Sequence, residues 1–187
     1  KKMKPVLNLY EMPEDVRNEL MNRYVKFVDT GLTGKERSEL TENRILNYLG
    51  INKPNTTEYD FDFINERFEL KQAEDYLKQP KFQQIKPRLY PYIVCLLNGK
   101  ERSRWYIMRT ENISKLAGKE NQEVGRLPMH RQHKDNDQEG QFPPNKKFFE
   151  LAEEIGEFSP LVYHEENLNI SDNELNQIFT RIEELVG

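Results

Sequence analysis

The sequence predicts a mixed α/β domain, bordering on α+β, in which helices flank a central mixed, mostly antiparallel sheet. Three observations carry this expectation. Helix signals stand at both ends of the chain: Val16, Leu20, Tyr24 and Phe27 recur on one face near the start, and Ser171 with Glu174 forms a capping pair near the end. Between them lie two pairs of short alternating segments, each joined by turn-forming residues, Asn65-Glu66 and Asn98-Gly99. Finally, 187 residues with 11% aromatic side chains can build one core, but 36% hydrophobic and 32% charged residues leave little for a second. One domain over residues 1–187 is expected.

In chain order, Pro13 precedes a helix over Glu14 to Val28. Thr33 caps a second helix from Gly34 to Leu49, with Glu36 completing a capping box and Gly50 as the stop. Tyr59–Ile64 and Arg67–Gln72 form a first hairpin, and Tyr90–Leu97 and Ser103–Met108 a second. Residues 118–145, rich in Gly, Pro, Gln, Asn and His, lack periodicity and are expected to form a long functional loop. Asn145 to Ile155 and Ser171 to Leu185 are expected to close the domain as helices.

Composition removes several function classes. No run approaches the roughly 20 apolar residues of a membrane span, and Lys1-Lys2-Met3-Lys4-Pro5 has no apolar signal core, so no membrane partner is expected. A lone Cys95 cannot form an internal disulfide, and its apolar surroundings (Tyr92-Ile93-Val94-Cys95-Leu96-Leu97) suit the core, so a cytoplasmic protein is expected. Without a phosphate-binding Gly-rich loop, a Gly-x-Ser-x-Gly elbow or a dinucleotide fingerprint, no nucleotide cofactor is expected. His130 and His133 lack the Cys partners or helical Glu of a zinc site. The net charge of -4 is unevenly spread: residues 71–147 carry 16 basic and 9 acidic side chains, whereas residues 148–187 carry one basic and 10 acidic. A positive middle suits contact with a polyanion along one surface; a solvated charged face is the simpler alternative.

The first hairpin concentrates chemistry. A turn centred on Asn65-Glu66 sets Phe63 across from Phe68, Asp62 from Glu69, Phe61 from Leu70 and Asp60 from Lys71. Phe61, Phe63, Phe68 and Leu70 then share one face, and Asp60, Asp62, Glu69 and Lys71 the other. Hard carboxylate oxygens at that spacing suit Mg²⁺, which keeps waters and phosphate oxygens in its shell. A neighbouring lysine can orient a water and stabilise charge developing on a phosphate, so the set fits metal-assisted phosphodiester hydrolysis. An ordinary hairpin laced with Asp–Lys pairs is the alternative, but Asp62 facing Glu69 would then be repulsive without a bridging cation. On the second helix Glu42 falls within the face defined by Ile45, Leu46 and Leu49. It either looks into the same site or packs its stem while its carboxylate reaches water.

Asp60 followed by Glu69-Leu70-Lys71 resembles the D…(D/E)xK signature of the PD-(D/E)XK superfamily of restriction-endonuclease-like nucleases, and Tyr-Asp-Phe-Asp-Phe…Arg-Phe-Glu-Leu-Lys resembles the strand–turn–strand of its small type II restriction enzymes. Tyr59 stands where the superfamily's Pro often does, and the likeness covers residues 34–108. The resemblance implies a restriction-endonuclease-like fold, prokaryotic or phage-like in origin. It further implies a Mg²⁺-dependent (or Mn²⁺-dependent) site-specific endonuclease acting on double-stranded DNA as a homodimer. Asp60, Glu69 and the Leu70 backbone carbonyl would bind the metal, Glu42 matching a helical Glu that recurs in the family, and Lys71 would assist the attacking water. Asp62 shares the face of Asp60, so either can be the ligand; the spacing to Glu69 favours Asp60.

Nucleic-acid contacts are expected from Gln72, Lys81, Gln84, Lys86 and Arg88, with Lys78 and Gln83 in the same basic, amide-rich stretch. The long loop adds Arg126, His130, Arg131, Gln132, His133, Lys134, Asn136, Gln138 and Gln141. Arg can bridge guanine and Asn or Gln adenine, so this inventory suits base-edge readout as well as phosphate contact. A non-catalytic nucleic-acid-binding module, or a repair or homing nuclease of the same fold, is the alternative function.

Overall fold

The structure, a computed structural model, describes residues 13–16, 18, 32–75, 80–86, 89–112, 140–164 and 167–187. Of the first expected helix only residues 14–16 and 18 fall among these, and they are helical. Helix α1 spans Gly34–Leu49 as its caps require: Thr33 accepts the Glu36 N–H while Glu36 reaches back to Thr33, and Gly50 ends the helix in the left-handed conformation (φ 67°). Five strands form the main sheet in the order β1 (Phe61–Phe63), β2 (Glu66–Glu74), β4 (Tyr92–Asn98), β5 (Ser103–Arg109) and β7 (Glu153–Phe158). All neighbours are antiparallel except β2 and β4, which run parallel. The mixed, mostly antiparallel sheet flanked by helices is therefore present. A ribbon of β3 (Phe82–Ile85) and β6 (Gly140–Phe142) and a small β8–β9 pair (Tyr163–His164, Asn167–Leu168) stand apart from it.

Alternation along the strands builds two cores. Phe61, Phe68, Leu70, Val94, Leu96, Trp105 and Ile107 face α1 and the closing helix α3 (Asp172–Val186). Ala73, Ile93, Cys95, Leu97, Tyr106 and Met108 face β3, β6 and the short helix α2 (Lys146–Leu151). Every residue of β4 is buried, as a strand covered on both faces requires. Cys95 is a core residue, as its sequence neighbours predict. Among the described residues no helix is long and apolar enough to cross a membrane.

Three expectations are corrected. The segment Asn145 to Ile155 is not one helix: after α2 the chain becomes extended at Ala152 (ψ 146°) and enters β7, which supplies the partner β5 otherwise lacks and buries Ile155 while Glu153, Glu154 and Glu157 stay exposed. The second hairpin turns over residues 99–102, with the Gly99 N–H donating to Arg102 O (2.8 Å), and Asn98 is not a turn residue but a buried one. Its amide donates to Glu74 Oε2 and to Leu161 O (3.0 Å each) while its Oδ1 accepts the Leu161 N–H (2.8 Å). The first hairpin turns over Ile64-Asn65, both in the left-handed region (φ 48° and 61°), rather than Asn65-Glu66. A two-residue turn of that conformation matches strand twist, but a β-branched Ile64 there costs about 1–3 kcal/mol. Aromatic packing opposes that strain. Phe61 now faces Phe68 and stacks on it (centroids 5.2 Å apart), Phe68 stacks on Tyr92 (5.3 Å), and Phe61 and Phe63 meet Phe179 of α3 edge-on.

Phe68 is the hub of that packing, with no exposed surface. Phe68→Ala is expected to lower the unfolding free energy by about 3–5 kcal/mol, read from denaturant melts at unchanged slope. A loss below 1 kcal/mol (about one buried methylene's worth) would mean that the stack does not hold the hairpin.

Candidate active site

The register moves the acids relative to one another. With Phe61 across from Phe68, Asp62 faces Arg67, and the same register continued brings Asp60 alongside Glu69. The shift is two residues, an even number, so each side chain keeps the face expected of it. The opposition of Asp62 to Glu69 and of Asp60 to Lys71 is thus corrected, and like charges meet instead at Asp60 and Glu69. Asp62 leaves the cluster: it is exposed, its carboxylate accepts the Tyr59 hydroxyl (2.8 Å), and Arg67 lies over the Tyr59 ring (4.7 Å) and near Glu58 (3.7 Å).

Asp60 is anchored at both ends. Its N–H donates to Phe68 O (3.0 Å), and its Oδ2 accepts the Leu70 N–H (2.7 Å). Glu69 from β2 and Glu42 from α1 lie close enough to its carboxyl to feel its charge. Of the two readings of Glu42, the structure takes the one that faces the site. Arg44 holds α1 in place by donating to Ile170 O (3.0 Å) and Asp172 (2.6 Å), and Tyr48 stacks on Phe179. Lys71 is largely buried, with Nζ 4.0 Å from Glu69 Oε2. Leu70, whose carbonyl is a candidate ligand, lies between Glu69 and Lys71 with its side chain in the opposite core.

Burial, then the hydrogen bond and charge of Asp60, push Glu69 up to about 9, with Lys71 and the Tyr90 hydroxyl opposing the rise. Burial, then the charge and hydrogen bond of Asp60, push Glu42 up to about 8, against Lys53 and Lys71. Near neutral pH the protonated form is therefore favoured at both glutamates. Among the described residues no three His, Cys, Asp or Glu side chains already stand in a metal-ligand arrangement. Carboxyl oxygens brought close together from α1, from β2 and from the residue before β1 are nonetheless the donor chemistry that a hard divalent cation takes.

Two partners escaped the sequence reading. Lys53 lies in the segment after α1 with no motif to mark it. Tyr90 is buried; its hydroxyl accepts the Lys86 N–H (2.8 Å), and burial with the nearby Glu69 charge pushes the phenol far up. Only the parallel β2–β4 crossover brings Tyr90 there, and no local signal announces it.

The expected nucleic-acid contacts divide. Gln72 lies on the α1 side of β2, away from Glu69 and Lys71. Its Oε1 accepts the Thr41 hydroxyl (2.8 Å) and its amide donates to Glu74 (3.0 Å), so it is tied into the fold, which corrects its expected place beside the phosphates. Lys81 and Lys86 bracket β3, and Gln84 is exposed within it with φ 56° at a pairing irregularity. Gln141 lies in β6, with its side chain outside what is described. Lys78, Arg88, Arg126, His130, Arg131, Gln132, His133, Lys134, Asn136 and Gln138 lie outside the described residues. Comparison with protein-family models, curated proteins and solved structures gives no match.

An acid whose folded-state pKa is raised stabilises the fold below its unfolded value, and that stability is lost as pH climbs through the folded value. In chelator, the melting temperature is therefore expected to fall between about pH 5 and pH 9. Glu69→Gln should flatten the slope, and Mg²⁺ should raise the melting temperature more at the alkaline end. A slope unchanged in the variant would show that Glu69 is not under this strain.

Proposed function

We propose that the protein is a Mg²⁺-dependent endonuclease of restriction-endonuclease-like fold that hydrolyses phosphodiester bonds in double-stranded DNA at a short sequence. The observation that carries the reading is the meeting of Glu42, Asp60 and Glu69 beside the largely buried Lys71. Asp60 and Glu69 hold Mg²⁺ (Mn²⁺ substituting), with Glu42 and the Leu70 carbonyl completing the protein's share. When bound, the ion supplies Lewis-acid charge and acidifies water. Lys71 orients the attacking water and stabilises negative charge growing on the phosphate; its partial burial strengthens that interaction by excluding solvent. Asp60 keeps its aim because Leu70 N–H fixes one of its oxygens. Asp62, turned toward Tyr59, has no part.

Lys81, Gln84 and Lys86 on the β3 ribbon contact the backbone, and the polar residues between Arg126 and Gln141 read bases. The described residues hold one such cluster, so cutting both strands calls for a twofold homodimer on a palindromic site. One observation favours a second reading. Glu42 and Glu69 are both pushed toward the neutral form near neutral pH, and this suits a nucleic-acid-binding module that does not cut.

Purified protein with Mg²⁺ is expected to cut long unmodified plasmid DNA into discrete fragments. Lys71→Ala and Asp60→Ala should each slow cleavage by about 10²–10⁴-fold, whereas Asp62→Asn should cut like the wild type. Cleavage that survives both alanine changes overturns the assignment. Salt-sensitive DNA binding indifferent to Mg²⁺ and without product identifies the non-cutting module.

A further inference from the structure

We propose that Gln83 is a specificity-determining residue that reads an adenine from the major groove, presented there by a bulge in the β3–β6 ribbon. This deepens the nuclease reading and rests on it. The bulge follows from the sequence of β3, Phe82-Gln83-Gln84-Ile85. Strict alternation would send Phe82 and Gln84 to one face and Gln83 and Ile85 to the other. Instead Phe82 and Ile85, three residues apart, are both fully buried, and both glutamines are exposed. Phe82 packs on Phe142 (ring centroids 5.6 Å apart) and on Phe148 (5.4 Å), so burying Ile85 in the same core takes one extra residue in β3. The register holds that residue: Phe82 pairs with Phe142 and Ile85 with Gly140, so two residues of β3 stand against one of β6. Gln84 absorbs the mismatch at φ 56°, a left-handed conformation unfavourable for a residue with a Cβ. Gln83 keeps strand backbone and so stands roughly perpendicular to the ribbon.

The ribbon packs on the sheet face that contains Ala73, and Glu69 and Lys71 alternate onto that same face of β2. A duplex held at Lys71 thus has the outer face of the ribbon beside it. The major groove is about 12 Å wide and admits a two-stranded ribbon. Lys81 and Lys86, which bracket β3, are at most about 17 Å apart along the strand. They match the two phosphate margins of the groove and leave Gln83 between them, over the base edges. A glutamine amide both donates and accepts, and adenine offers N7 as acceptor and its N6 amino group as donor. One glutamine therefore makes two hydrogen bonds to adenine, and the recognised sequence contains an A·T pair.

The test is selection from a random duplex DNA library in chelator, with the bound fraction sequenced, alongside mapping of cleavage sites in Mg²⁺. Wild-type protein is expected to enrich, and to cut at, a short sequence containing an A·T pair. Gln83→Ala should lower the preference for that one pair by about 5- to 150-fold and leave the other positions unchanged. Gln83→Glu keeps the side-chain length but can only accept, so preference at that pair should move from adenine toward cytosine, whose N4 amino group donates. Lys81→Ala, by contrast, should weaken binding to all sequences alike. Because Gln83 is exposed, both of its variants should melt as the wild type does. A preference unchanged at every position in both Gln83 variants overturns the assignment while leaving the nuclease reading intact. A loss uniform across sequences overturns it too, since that is the mark of a phosphate contact, and so does a recognised sequence without an A·T pair. Wild-type protein that neither retains duplex DNA nor cuts it overturns the nuclease reading, and this inference with it.

Discussion

Glu42 and Glu69 lean on one carboxyl, Asp60, in a space that water reaches poorly, and much of the structure is arranged to hold them there against their repulsion. Like charges at such range are costly once solvent is withdrawn. The fold meets this with covalent economy: Asp60 and Glu69 come from one hairpin, so closing it brings both in at once. A backbone N–H is aimed at Asp60, and Lys71 emerges from the same strand as Glu69. Helix α1 brings Glu42 from outside the hairpin, so its docking through Arg44 and Tyr48 sets where that acid stands. Such concentrated, unfavourable electrostatics is a frequent mark of a functional site, because a merely structural surface gains nothing from it.

Strand β2 divides two tasks between its faces. Toward β3 it presents Glu69 and Lys71, 4.0 Å apart, where burial works against charge on the acid. Toward α1 it presents Gln72 and the buried Glu74, where charge is neutralised. Glu74 accepts from Gln72, Asn98 and Tyr163 and lies near Arg37 (3.7 Å), so helix, strands and the segment leading to β8 are joined by satisfied polar contacts. A buried carboxylate with several donors specifies how elements dock more than it strengthens them. The two glutamates, five residues apart on one strand, thus have opposite fates because alternation sends them to different neighbours.

Local chemistry written in short stretches was readable in advance. Helix α1 obeys its capping box and terminal glycine, and Ser171 caps α3 through Glu174. Face sorting in the first hairpin was also legible, since strand periodicity survives any even error in register. The register itself was not. Asn65-Glu66 looked like the turn because a β-branched Ile64 is a poor candidate for a left-handed position, and aromatic stacking overrode that preference. Glu42 could be singled out by its place on a helical face, whereas its partner Asp60 could not be deduced from that face alone. Tyr90 and Asn98 owe their roles to pairings distant in sequence, and Asn98 next to Gly99 carried a turn signal that concealed a buried clamp. Strand β7 was hidden because six residues rich in Glu read as helix until β5 needed a neighbour.

The contact of Phe61 and Phe63 with Phe179 has a temporal consequence. Ribosomal synthesis completes the acids of the hairpin long before it makes α3, and until then the aromatic underside of the hairpin lacks the edge of Phe179. A nascent chain therefore carries every acid of the site without the support that aligns them. Packing alone thus postpones the finished cluster until the last helix has been made.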